Sequence, residues 1–187
     1  QTGLMKFSVA LGKADYKAAE KILNRLKKDH AENVKVSMAF AELYAARDMK
    51  EKAISVLNEI IEQFPQEREP VQFLASVHAF DDQRDESRRV LEEAIDRLEN
   101  RDDKLELALM LAGLFRQWQM QDERYELLNS FAVEYSDRLE LKTNLLTCPE
   151  VINDQQRSQQ IVGQIGSLAG RDSRQYRYYQ ARLWYNS

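Results

Sequence analysis

Residues 34–67 read VKVSMAFAELYAARDMKEKAISVLNEIIEQFPQE. The first half carries Ala41-Glu42-Leu43-Tyr44: a small residue, a spacer, an aliphatic and a ring. The second half carries Ala53, Leu57 and Ile60, spaced +4 and +7 as on one face of an α-helix. Pro65 stands just past the apolar run at 54–64 and ends it. Two helices of an antiparallel hairpin approach closely only where one side chain is short, which gives Ala41 and Ala53 a physical reason.

The pattern recurs on both sides of this stretch. It returns as Ala75-Ser76-Val77-His78 and, slightly later than a strict period requires, as Ala112-Gly113-Leu114-Phe115. It appears again at Ala181-Arg182-Leu183-Trp184, and the interval before it leaves room for one more unit whose motif has decayed near Leu146. The second set keeps a period of about 34 residues throughout: Ala19, Ala53 and Ser87; Leu23, Leu57 and Leu91; Leu26, Ile60 and Ala94. Periodicity of this length marks a stack of repeated helical hairpins. The spacing predicts turns near 12–15, 46–49, 80–83 and 118–122, and no strand. Asp48 and Glu51 have the form of a capping box opening a helix at Met49. Asp82 falls at the matching turn, Asp122 precedes a helical run at 123–135, and Pro70 suits the first turn of a helix.

With Ala41, Tyr44, Ala53 and Pro65 at these offsets, the chain resembles the tetratricopeptide repeat family. The best match is 34–67 and a good one is 68–101; at the end of the first unit Ala31 takes the place of the closing Pro. The expected fold is all-α, a right-handed α-solenoid of antiparallel helix pairs. It forms a single array over 1–187, with approximate units 1–33, 34–67, 68–101, 102–137, 138–171 and a partial 172–187. The unit at 138–171 fits least, because Cys148-Pro149 interrupts it and Gly163, Gly166 and Gly170 loosen its second helix. The resemblance implies that the first helix of each unit lines a concave groove. Carried onto this chain, the groove positions are Lys35, Met38, Ala39, Glu42, Ala45 and Ala46, then Glu69, Gln72, Phe73, Ser76, Ala79 and Phe80. A looser third set is Glu106, Leu109, Met110, Gly113, Arg116 and Gln117. Some relatives use Lys and Asn at several of these positions to grip a terminal carboxylate. Here Met, Gln, Glu, Ser and Gly occupy those slots, so the resemblance implies a different ligand.

The 187 residues are 43% hydrophobic and 31% charged, with only six Gly and three Pro, a balance suited to long helices and a packed core. A net charge of −4 gives no global basic field for nucleic acid. The single Cys148 excludes an internal disulfide, and composition assigns no compartment. The chain begins at Gln1 and breaks off after Tyr185-Asn186-Ser187, which reads as a fragment of a longer protein. Neither His30 nor His78 has metal-ligand spacing, and His78 sits in the ring slot of Tyr44 and Phe115, as a packed core histidine would. Cys148 lacks a His partner and reads as a structural thiol. Gly163-Gln164-Ile165-Gly166 has neither the Lys-Ser/Thr nor the preceding strand of a phosphate loop. Asp85–Arg89, Arg88–Glu92, Arg89–Glu93 and Glu93–Arg97 form an i, i+4 lattice on a solvated helix.

These readings converge on a scaffold or adaptor and not an enzyme, with no cofactor and no metal. Its concave groove, with candidate residues Met38, Glu42, Gln72, Phe73, Ser76, Phe80, Leu109, Met110 and Arg116, suits an apolar or helical segment of a partner protein. One alternative is an accessory domain of a multidomain enzyme. Another is a nucleic-acid-associated solenoid, for which only the four arginines and four tyrosines of 171–185 speak. Residues 173–185 are expected to form a helix that docks by its inner face and leaves Tyr178, Trp184 and Tyr185 uncovered, open to self-association.

Overall fold

The computed structural model describes residues 2–29 and 33–185. Among them lie twelve helices and no strand: α1 Thr2–Gly12, α2 Tyr16–Asp29, α3 Val34–Ala46, α4 Lys50–Gln63, α5 Arg68–Phe80, α6 Arg84–Arg97, α7 Arg101–Gln117, α8 Gln121–Phe131, α9 Leu139–Leu145, α10 Pro149–Ile152, α11 Gln155–Ala169 and α12 Arg174–Tyr185. The described residues are all-helical, as the spacing predicts, and in the first half the helices pair as successive antiparallel hairpins. The chain divides into two compact units, Gln1–Leu107 and Ala108–Ser187, the division falling within α7. His30 and Ala31 lie outside the described residues.

In the first unit α1 packs on α2, α3 on α4 and α5 on α6, and successive hairpins meet through α2 with α3 and α4 with α5. The phase-locked set forms its core. Ala19, Ala53, Ser87, Leu23, Leu57 and Leu91 are all fully buried, as are Ala41 and Ala75 across the hairpins. Ser87 replaces alanine without leaving a stranded hydroxyl, because its Oγ donates to the Ala75 carbonyl at 2.9 Å. That bond satisfies a buried polar group and ties α6 to α5 where the two approach closely.

The turns at 13–15, 47–49, 81–83 and 118–120 fall within the expected windows. Each holds one residue in the left-handed region: Ala14 at φ 54°, Asp48 at 57°, Asp82 at 57° and Gln119 at 63°. Around Asp48, the Met49 amide donates to the Tyr44 carbonyl at 2.9 Å and the Asp48 amide to Ala45 at 3.0 Å. The amides of Gln83 and Met120 reach back in the same way, to the carbonyls of His78 and Phe115. This is a Schellman closure, which satisfies the last carbonyls of one helix and reverses the chain. It corrects the capping-box expectation: Asp48 terminates α3 and does not open α4, whose N-cap is Met49 with no side-chain cap bond. Side-chain caps occur instead at Asn33, which accepts from the Lys35 amide, and at Asp154, which accepts from the Arg157 amide.

Two further expectations are adjusted. His78 is half-buried, not a core residue, and its Nδ1 hydrogen-bonds the Gln83 side chain at 2.6 Å across the turn. On α6, Arg88–Glu92 and Arg89–Glu93 pair as the spacing predicts, but Arg89 also takes Glu86 at 2.7 Å, and Arg97 donates to the Pro65 carbonyl.

In the second unit α9 packs on α8 and α11, and α10 and α12 both pack on α11. Pro149 starts α10 and separates it from α9, so the first helix of this hairpin is broken in two. Arg124 of α8 is buried beneath the break, only 2% exposed. Its guanidinium donates to the Asn144 and Thr147 carbonyls at 3.3 and 3.4 Å, bracing the segment between α9 and α10, where the Asn144 carbonyl also accepts from the Thr147 amide. Gly163 and Gly166 do not loosen α11, which runs unbroken to Ala169. Gly166 instead admits α12: a Cβ there would stand 2.8 Å from the Tyr176 ring. Ala181 departs from its motif, being exposed where Ala41, Ala75 and Ala112 are buried.

Candidate functional site

The helical phase that buries Leu43 and Ala41 turns Met38 and Glu42 to another side of α3, away from α4. There α1 and α3 lie side by side, and together with the start of α5 they enclose a cavity of about 380 Å³. Its floor is apolar: Leu4 and Phe7 from α1, and Val34, Met38 and Ala39 from α3. Its polar lining is Ser8, Lys35, Glu42, Glu67 and Glu69, three carboxylates against one ammonium.

Glu42 sets the electrostatics. Its surface is open to solvent at the mouth, yet the groove walls desolvate its carboxyl and push its pKa above the ordinary value. No hydrogen bond or ion pair to Glu42 occurs among the described residues. The nearby cation Arg68 is engaged by Asp103 at 2.8 Å and Glu106 at 2.5 Å, with Glu69 at 3.9 Å. The groove therefore presents an apolar floor and an acidic side.

Of the residues anticipated from the sequence, Met38 and Glu42 are brought together here, as are Lys35, Ala39 and Glu69 from the wider mapping. Gln72, Phe73, Ser76 and Phe80 lie along α5 and do not line this cavity. Gln72 and Phe73 are half-buried, and Ser76 turns its hydroxyl back to the Gln72 carbonyl. Phe80 is 85% exposed, with the Lys50 ammonium 5.7 Å from its ring centroid. Leu109 and Met110, half-buried, and Arg116, exposed, belong to the part of α7 in the second unit. Leu4, Phe7, Ser8, Val34 and Glu67 were not anticipated. The signal for two of them was present, since Leu4 and Ser8 occupy the positions of Met38 and Glu42 one repeat earlier.

The second unit has its own cavity of about 360 Å³, where Leu146, Ile152 and Val162 meet Tyr179, Arg182 and Leu183 of α12. Cys148 is fully buried, and burial raises its thiol pKa, which suits packing and not nucleophilic attack. Among the described residues no group of three or more His, Cys, Asp and Glu is placed to hold a metal ion, and no helix is long and apolar enough to cross a membrane.

Residues 10–77 match the tetratricopeptide repeat family. No curated protein sequence shows a significant match to the chain. Among solved structures it is similar to a MamA protein, at 12% identity and a TM-score of 0.57 over 91% of each chain. It is also similar to nearly identical TPR-like repeats of a Podosopora anserina kinesin light chain, at 14% identity and a TM-score of 0.60 over 92% of this chain and 96% of that one. A tetratricopeptide repeat protein from Parabacteroides merdae matches at 11% identity and a TM-score of 0.58, over 99% of this chain and 72% of its own. At these identities the likeness is one of fold.

Proposed function

Taking tetratricopeptide helix pairs as the scaffold, we propose that this chain is a non-catalytic interaction module whose first unit takes an apolar, helical segment of a partner protein. The observation that carries this reading is the groove of α1, α3 and the start of α5. Its Leu4 and Met38 are only half-buried, and its volume of about 380 Å³ is of the size that accepts large side chains from a ligand. An amphipathic helix laid in such a groove buries an apolar stripe there and leaves its polar face in water. Phe80 serves as an outlying anchor, because a ring exposed to 85% adds almost nothing to the core but offers area to a ligand.

The test is site-specific photo-crosslinking. A photoreactive side chain at Met38 should capture one defined partner segment, while the same group at Glu62, on the exposed face of α4, should not. With the photoreactive group carried instead at Ser8 of the same groove, Met38→Asp should abolish capture with helicity unchanged, and Phe80→Glu should weaken it. Equal capture from positions 38 and 62, or binding indifferent to Met38→Asp, overturns the assignment of the groove.

A further inference from the structure

The helix α12 leaves one whole stripe of its surface to solvent. Arg174, Arg177, Tyr178, Ala181, Trp184 and Tyr185 are all exposed, and their offsets along the helix place them on one face. Trp184 is 75% and Tyr185 92% exposed. The opposite face, with Tyr176, Tyr179 and Leu183, is the half-buried one, and Tyr176 fits against Gly166 of α11. The helix has three arginines and no acidic residue. Arg177 meets Asp172 at 2.9 Å, but both side chains are largely in water and the pair is readily exchanged.

The groove of the first unit has the complementary character. Its floor is apolar, and Glu42, Glu67 and Glu69 outnumber Lys35 around it. Among the described residues no hydrogen bond or ion pair to Glu42 occurs, and its carboxylate stands in the lining of the groove, where a cation from a ligand can meet it. Resting on the groove reading above, we infer that the groove of one copy receives the α12 stripe of a second copy, with aromatic rings on the apolar floor and arginines toward the three carboxylates. The two surfaces are different, so the contact is heterologous: each copy in a pair keeps one unused groove or one unused stripe, and assembly continues as concentration rises. Opposite charges speed and orient such docking, and salt weakens it.

The test uses the whole chain in sedimentation velocity and light scattering over a concentration series at low and high salt. Association should appear at low salt and weaken at high salt. Glu42→Lys should weaken it about tenfold or more, as expected when an attractive charge pair is made repulsive. Trp184→Ser should do the same, whereas Glu62→Lys should not. Far-UV circular dichroism should show full helicity in all three, since the changes fall on exposed positions. The decisive arm is mixing: the Glu42→Lys chain keeps its stripe and the Trp184→Ser chain keeps its groove, so at concentrations where each alone is monomeric the two together should form a one-to-one dimer and nothing larger. A chain monomeric at every concentration overturns the inference. So does association unaffected by Glu42→Lys, equal weakening by Glu62→Lys, or failure of the mixture to pair. If copies do not associate while the crosslinker at Met38 still captures a foreign segment, only the self-docking falls; if position 38 captures nothing at all, the groove reading falls with it.

Discussion

Replacing Ala14 with glycine should stabilise the first unit, the reverse of what glycine does inside a helix. Ala14 closes the α1–α2 turn at φ 54°, where the Cβ of an L-residue crowds the following carbonyl oxygen. That crowding costs about 1–2 kcal/mol. Glycine removes it but adds conformational freedom to the unfolded chain, which returns about 0.4–1 kcal/mol. The net gain is about 0.5–1 kcal/mol, or roughly 2–3 °C in Tm for a chain of this size. Asp48 and Asp82 have nearly the same φ but should gain less. Aspartate tolerates the left-handed region better, and each would lose an exposed ion pair, with Lys50 at 3.9 Å and Arg84 at 2.8 Å. At Gly170, with φ 87°, the sign inverts, and Gly170→Ala should cost about 1–3 kcal/mol. Urea and thermal unfolding followed by far-UV circular dichroism would rank the four variants. Should Ala14→Gly lower stability by the roughly 0.5–1 kcal/mol typical of a helix-interior glycine, the turn geometry argued above is wrong.

Ala53→Leu should destabilise by about 1–3 kcal/mol, because a fully buried alanine between two helices leaves no room for three more carbons; a parent-like melting curve would refute the hairpin contact. Glu42→Gln should raise stability at neutral pH and flatten its dependence on pH. The folded pKa lies above the unfolded one, so Glu42 favours the fold only at low pH, and that contribution is lost as pH rises from the unfolded value through the folded one; stability–pH curves for parent and variant that coincide would contradict this. Arg124→Met should cost about 1–3 kcal/mol, since it removes the buried guanidinium's bonds to the 144–147 segment and leaves the Thr147 carbonyl without that donor; denaturant titration showing almost no loss would mean that water replaces the guanidinium.

The hairpins were legible because a helix-on-helix contact repeats the same demand for a small side chain once per repeat, and Ala19, Ala53 and Ser87 answer it in phase. The turn chemistry was not. A capping box and a Schellman closure can both place an aspartate beside the turn, and only the φ of Asp48 separates them. The groove was half legible: Met38 and Glu42 follow from the repeat register, and the same register applied one unit earlier would have found Leu4 and Ser8. Phe7 and Glu67 reach the cavity through packing and an N-cap position that no periodicity encodes. In α7 the register slips. That helix has 17 residues against 13 in α5, so the register of the earlier units cannot be carried straight through it, and Leu109, Met110 and Arg116 fall in the part of it that belongs to the second unit. Arg124 was unreadable because its acceptors appear only where α9 breaks ahead of Pro149, a tertiary circumstance.

The division within α7 has an experimental consequence. Both tryptophans, Trp118 and Trp184, and the only thiol, Cys148, fall in the unit Ala108–Ser187. Indole fluorescence and the labelling rate of the buried thiol are therefore native reporters of that half alone, while far-UV circular dichroism registers helices in both. Measured together on the unmodified chain, they dissect its unfolding without any inserted probe. Coincident transitions are the signature of one cooperative event. A fluorescence midpoint displaced from the dichroic one would instead give each half its own stability, with the dichroism left after the indole signal has changed belonging to the three hairpins that build the groove.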